Sequence, residues 1–308
     1  MDYVIIADVN CDLTKEIRER FNVEYLKGHI VVNGKDCFSD LDGELFPDLD
    51  EFYKLLKNKK HTITTSPASV EEHKACFEKY FKEGKDVIYV AISSAISGTY
   101  NFALMAKKEL EELYPNRKLA VIDSYRYGTA IGLLAITLAQ KREEGLSFDE
   151  TVKFAEEAKS RIHQMGPMDD LFFLSRKGRV SKGKAFMGTL VGVKPMGDFT
   201  DKGMAGVLVK VKGNQAAIQT TVEYIKRTIV NPENQIIFVS DTARKENATK
   251  IAELIRKEIK PKEVIQLTCG CAGGCNIGPG LAAAYYFGEP ISKDNEKEKA
   301  IIDAIIAK

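Results

Sequence analysis

Three short apolar runs constrain this 308-residue chain more than anything else in it: YVIIA at 3–7, VIYVAI at 87–92 and LAVI at 119–122. Each is apolar without alternation, so both faces of each strand must be covered. Each is followed by a stretch of helical periodicity, at about 14–20, 101–114 and 128–144. Doubly covered strands with helices between them predict a parallel sheet joined by right-handed crossovers. Local signals agree. Ser69, with Glu72 three residues on, has the form of a capping box opening a helix over 70–81. Gly145 stands where the long third helix needs a C′ residue, and Asp149 begins another helix that we carry to about Gln164.

The pattern changes after Gly166-Pro167. A basic, glycine-interrupted segment at 174–184 (LSRKGRVSKGK) lies between apolar 171–174 (LFFL) and 185–187 (AFM). Residues 206–212 (GVLVKVK) alternate and read as a half-buried strand. Strands at 235–240 and 264–268 and helices at 216–229 and 248–260 follow, then a glycine- and cysteine-rich loop at 269–280. We therefore expect an α/β fold of two domains. A parallel α/β domain spans 1–165 and an α+β domain spans 166–308, packed without a low-complexity linker. Junctions of that kind often hold ligands.

Composition narrows the function classes. Forty-five basic and 44 acidic side chains give a formal net charge of +1. The general electrostatic case for nucleic-acid binding is therefore absent. No apolar run reaches the roughly 18–20 residues that cross a bilayer. Asp2 occupies the basic region of a would-be signal peptide, so the expectation is a cytoplasmic protein without stable membrane insertion. The six cysteines then read as free thiols rather than a disulfide framework.

Four segments carry candidate chemistry. Residues 93–100 (SSAISGTY) lie between a buried strand and a helix, at the carboxyl end of a strand where α/β proteins bind ligands. A helix N-terminus attracts anions through its unpaired N–H groups. Ser93, Ser94, Ser97 and Thr99 add hydroxyls, and Gly98 lets a ligand approach the backbone. Taken alone, the same hydroxyls read first as helix caps. Residues 63–69 (ITTSPAS) bring Thr64, Thr65 and Ser66 ahead of the capped helix, as a second hydroxyl turn locked by Pro67. In residues 8–13 (DVNCDL), Asp8 and Asp12 read first as turn-stabilising carboxylates and second as metal or hydroxyl partners. In the 269–280 loop, Cys269, Cys271 and Cys275 have C-x-C-x3-C spacing, which lacks the four-ligand pattern of structural zinc. No basic residue lies between Asp86 and Met105, so the serine turn suits a single carboxylate held by neutral donors better than a phosphate.

Taken in order, DVNCDL, TTSPAS, SSAISGTY, VIDS, LFFLSRKGRVS, VKP and NIGPG resemble the DegV family of fatty-acid-binding proteins over residues 8–288. The resemblance implies a ligand tunnel between two domains, one enclosed long-chain fatty acid, no further cofactor and no catalytic residue. It also implies a FakA-like fatty acid kinase as partner, which makes an acyl-phosphate for phospholipid synthesis. The family's carboxylate-binding threonine falls on Thr65 with Ser66 beside it, Thr64 being a one-residue alternative. Its serine falls on Ser97, followed by Gly98. Its GGRIS arginine falls on Arg179, at the kinase-facing rim near the head group. There are two departures: Val9 replaces the serine of the first motif, and Asn276 stands where many members have the histidine of HTGPG. Asparagine can bond a carboxylate but carries no charge.

Two other readings belong beside this one. Ser97 as the nucleophile of an acyl hydrolase or transferase needs a general base; the four histidines, His29, His61, His73 and His163, sit in no matching motif. A thiol-based metal or redox protein would rest on Cys269, Cys271 and Cys275.

Overall fold

The computed structural model describes residues 3–169, 171–180 and 192–307. Residues 181–184 of the basic segment and the apolar 185–187 beside them lie outside the described residues. The chain opens β1 (Tyr3–Asp8), a 3-10 turn (Val9–Cys11), α1 (Lys15–Phe21) and β2 (Val23–Leu26). A small antiparallel unit follows: β3 (Gly28–Val32), β4 (Lys35–Ser39), α2 (Leu49–Lys57) and β5 (Ile63–Ser66). Then come α3 (Val70–Lys82), β6 (Asp86–Ala91), α4 (Thr99–Leu113), β7 (Leu119–Asp123), α5 (Thr129–Glu143) and α6 (Phe148–Ala158). The first sheet has the order β2-β1-β6-β7, parallel throughout.

The three apolar runs are β1, β6 and β7, and the two faces of β1 show why they do not alternate in polarity. Val4 and Ile6 pack with Phe77, Tyr80, Ala103 and Leu110 of α3 and α4. Tyr3, Ile5 and Ala7 pack the other way, into a core built on α5. The capping box at Ser69 and Glu72 is present in full.

The second half contains β8 (Ile162–Met165), α7 (Phe172–Arg176), β9 (Val193–Met196), β10 (Val209–Lys212), α8 (Asn214–Thr228) and β11 (Ile236–Asp241). After these come α9 (Lys245–Glu258), β12 (Glu263–Thr268), α10 (Cys271–Ile277), β13 (Ala282–Phe287) and α11 (Glu296–Ile306). Its sheet has the order β12-β11-β13-β8; β11 and β12 are parallel, and β13 runs antiparallel to both β11 and β8.

Helix α5 is apolar nearly all round and sits between the sheets, against β1 and β6 on one side and β8, β11 and β13 on the other. A helix hydrophobic on every face has to be buried on every face. Ile131, Leu133, Leu134, Ile136 and Leu138 share one continuous core with Ile5 and Ile88 of the first sheet and Phe238 and Tyr285 of the second. At Gly132 a Cβ would stand 2.3 Å from the carbonyl oxygen of Cys11, so glycine is what lets α5 lie against the turn after β1.

Three expectations are corrected. The helix beginning near Asp149 ends at Ala158, and Ile162–Met165 is a strand. Its conformation is set by pairing with β13, a non-local partner that helical periodicity cannot register. The second sheet therefore begins four residues before position 166, where the second domain was expected to start. The supposed turn at 63–69 is in its first four residues β5, paired with β3. The supposed loop at 269–280 contains α10, a helix formed in spite of the low propensity of its two internal glycines.

Candidate functional site

In the first sheet the chain steps from β1 to β2 on one side and later to β6 and β7 on the other. That reversal between β1 and β6 opens a crevice at the strands' carboxyl ends, the usual ligand position in an open α/β sheet. A cavity of about 420 Å³ lies there. It is lined by Asp8 at the end of β1, the turn after β6, the end of β5, and the Tyr127-Gly128 entry to α5. From the second half come Leu174, Arg179 and the face of α10 that carries Asn276 and Ile277. Thr65, Ser66, Ser97, Gly98, Asn276 and Arg179 all line this one cavity.

The serine turn divides its labour. Ser93 is fully buried and holds the turn: its carbonyl accepts from the N–H groups of Ile96 and Ser97, and its Oγ accepts from Ala95 N–H. Asp123 Oδ1 accepts from Ser94 N–H at 3.1 Å. Ser97 Oγ and Thr99 Oγ1 lie 2.9 Å apart in a hydroxyl pair. Gly98 is the N-cap of α4 and provides no side chain to its first turn. Ser97 Oγ accepts from the first N–H of α4, that of Thr99, at 3.3 Å. The leading N–H groups of a helix have no intrahelical acceptor, so this end of α4 presents a positive pole to the cavity. A Cβ placed on Gly98 would meet nothing within 4 Å.

Across the cavity, Asn276 Nδ2 donates to Thr65 Oγ1 at 3.0 Å and to Ala272 O at 3.2 Å. Both amide protons are therefore used inside the protein, and Asn276 has no donor left for a ligand. What it leaves is Thr65 accepting that bond, with its own proton meeting no acceptor among the described residues. Ser66, the last residue of β5, is exposed and pairs in register with His29. Arg179 is half-buried, and its guanidinium donates to Lys177 O.

Some of the lining was not anticipated. Lys27 and His29 reach the cavity from the β2–β3 segment, so basic groups are present although none adjoins the serine turn in sequence. Both are paired. Lys27 Nζ donates to Glu44 at 2.8 Å, and His29 bonds Asp36 and Glu72 through its two ring nitrogens. Burial works against the charged imidazole, but its bond to Glu72 and the charges of Glu72 and Asp36 outweigh it and raise the His29 pKa. Asp8 is also in the lining, buried, accepting from the backbone and side-chain N–H groups of Asn10 at 2.8 and 2.6 Å. Burial raises its pKa, and the Asn10 bonds only partly offset this. The strand and turn positions of Lys27 and His29 were unassigned in the sequence, so nothing there placed them near the serine turn.

Ser97 has a threonine and no histidine as its hydroxyl partner among the described residues, so the arrangement lacks the base that a nucleophile requires. Cys269, Cys271 and Cys275 are buried with their pKa values raised by burial, Cys275 to about 11. Cys271 Sγ lies 3.4 Å from Ser39 Oγ, and Cys275 donates to Ile63 O. They are packed thiols; among the described residues no three metal-ligating side chains come together. No helix of the described residues is long and apolar enough to cross a membrane.

Fold and cavity together define a two-domain α/β protein with a cavity at the carboxyl end of its parallel sheet. A model of the family described as "Uncharacterised protein, DegV family" matches residues 2–289. A DegV domain-containing protein of Clostridium perfringens is 32% identical over 287 residues, covering 93% of this chain and 98% of the relative. This chain belongs to the DegV family. Among solved structures, Bacillus subtilis DegV, described as a fatty acid binding protein, is 27% identical with a TM-score of 0.78, over 93% of this chain and 99% of that one. The Streptococcus pneumoniae Fatty Acid Kinase (Fak) B3 protein, loaded with linoleic acid, shares the fold at a TM-score of 0.79 and 20% identity, over 94% of this chain and all of that one.

Proposed function

We propose that this protein is a carrier that encloses one long-chain fatty acid in a tunnel between its two domains and holds the carboxylate in the cavity at the end of the first sheet. One observation carries the reading. Thr65, oriented by Asn276, and the Ser97-Gly98 turn at the N-terminal end of α4 line the same cavity, which borders an apolar chamber lined, apart from Tyr127, by the second half of the chain. Neutral donors and a helix terminus suit a single carboxylate. The acyl chain supplies affinity, at about 0.8 kcal/mol per buried CH2. Thr65, Ser97 and Gly98 are assigned to the carboxylate, with Ser66 at the mouth and Asn276 as the group that positions Thr65. The descriptions of the Bacillus subtilis and Streptococcus pneumoniae relatives as fatty-acid binders support the same reading.

The test is mass spectrometry of lipids released from the denatured protein. One equivalent of a long-chain fatty acid is expected; protein that is empty and also ignores added fatty acid overturns the reading. Arg179 at the rim is assigned to a fatty acid kinase of the FakA type. Loaded protein mixed with such a kinase and ATP should yield acyl-phosphate, and Arg179→Ala should lower that yield while leaving the fatty acid bound. No turnover with the unaltered protein sinks the kinase assignment alone.

A further inference from the structure

Behind the main cavity lies a chamber of about 40 Å³, and Tyr127, Leu174 and Ile277 line both spaces. The chamber's side-chain walls are otherwise apolar, Met168, Leu171 and Leu281 among them. Gln164 is the exception. It sits on β8 and reaches the chamber with an amide whose Oε1 is buried and has no hydrogen-bond partner among the described residues. Its Nε2 donates to Tyr127 Oη at 3.2 Å. Tyr127 therefore receives a bond, while its own proton meets no acceptor among the described residues. Burial raises the Tyr127 pKa, which keeps that proton in place at neutral pH.

An apolar chamber thus contains one unused acceptor and one unused donor joined side by side. A wall that had only to contact methylene groups would be more stable with leucine or methionine, because a buried polar atom without a partner is destabilising. The geometry points to a specificity site: resting on the fatty-acid reading above, Gln164 and Tyr127 select an acyl chain that carries a hydroxyl group along its length. A hydroxyl donates to Gln164 Oε1 and accepts from the Tyr127 O–H, and so answers both atoms at once. With the amide turned over, Tyr127 donates to Oε1 and an amide N–H faces the chamber; a hydroxyl answers that arrangement too. A plain chain answers neither.

The experiment is calorimetric titration of delipidated protein with stearic acid and with a series of monohydroxystearic acids differing in hydroxyl position. At least one isomer should bind roughly tenfold or more tightly than stearic acid, since a site built to bond a hydroxyl discriminates against the analogue lacking it. Gln164→Leu should reverse that order by weakening the hydroxylated acid and strengthening stearic acid. Tyr127→Phe, which keeps the ring, should narrow the preference if Gln164→Leu fails to fold. Stearic acid binding as well as or better than every isomer overturns the hydroxyl assignment and leaves the carrier reading standing. A preference that survives both substitutions overturns it as well. Failure of every acid to bind overturns the carrier reading and this inference with it.

Discussion

Thr65 and Asn276 are 211 residues apart in the sequence and 3.0 Å apart in the fold. Each was legible as a candidate because its local string has a recognisable form. The direction of the bond between them was not legible. A sequence offers Asn276 as a donor to the ligand; the fold directs both of its donors to Thr65 and Ala272 and makes the threonine the ligand-facing group. Asp8 raises the opposite question, because a carboxylate in the lining of an anion site is unfavourable when ionised. Burial raises its pKa, so it is neutral at low pH and takes on charge at a higher pH than an exposed aspartate. Once ionised it repels the ligand's carboxylate. Asp8→Asn keeps an oxygen to accept from Asn10 and removes the charge. The ratio of fatty-acid affinities, variant over unaltered protein, should rise with pH. Titrations at pH 5 and pH 8 decide this, and an unchanging ratio rules out a charge effect of Asp8 on the ligand.

Among the elements, those set by local signals were readable and those set by distant partners were not. β1, β6 and β7 announce themselves by doubly buried apolar runs, and α3 by its capping box. Strand β8 follows directly on a helix and owes its conformation to β13, over a hundred residues later. Helix α10 is the sharper case. On propensity alone, Gly274 inside a helix costs about 1 kcal/mol relative to alanine. Yet a Cβ there would stand 2.4 Å from Tyr53 Oη, on a buried ring whose hydroxyl donates to Cys269 O at 2.7 Å. Packing therefore outweighs propensity, and Gly274→Ala should destabilise the protein by about 1–3 kcal/mol, the range for overpacking a filled core. Tyr53→Phe removes the atom in closest conflict and should restore part of that loss in the double variant. Chemical denaturation measures it. A single variant more stable than the parent shows that the glycine is not demanded by Tyr53.

Across the whole molecule the two sheets are joined by polar groups as well as by the core around α5. Asp12, at the end of the turn after β1, is buried and accepts from Gly270 N–H at 2.9 Å, just ahead of α10, and from Thr129 Oγ1 at 2.8 Å on α5. Thr129 Oγ1 lies 2.8 Å from Ser240 Oγ on β11, which continues the link into the second sheet. Burial pushes the Asp12 pKa up to about 6, and the bonds from Gly270 and Thr129 only partly restrain it. The native state then holds this proton more tightly than the unfolded chain, whose aspartate titrates near 4. The contribution to stability is fully present below pH 4, declines as the pH rises to about 6, and is level above that. Two units correspond to roughly 3 kcal/mol. Asp12→Asn retains an oxygen for Gly270 and can donate to Thr129, whose proton then goes to Ser240. Other groups titrate across the same range, so the informative quantity is the difference between the two proteins. The stability of Asp12→Asn relative to the unaltered chain should climb by about that amount between pH 4 and pH 7, as measured by denaturant unfolding at each pH. A flat difference would mean that the carboxylate bridging the two sheets titrates as it does in the unfolded chain, its bonds to Gly270 and Thr129 compensating its burial in full.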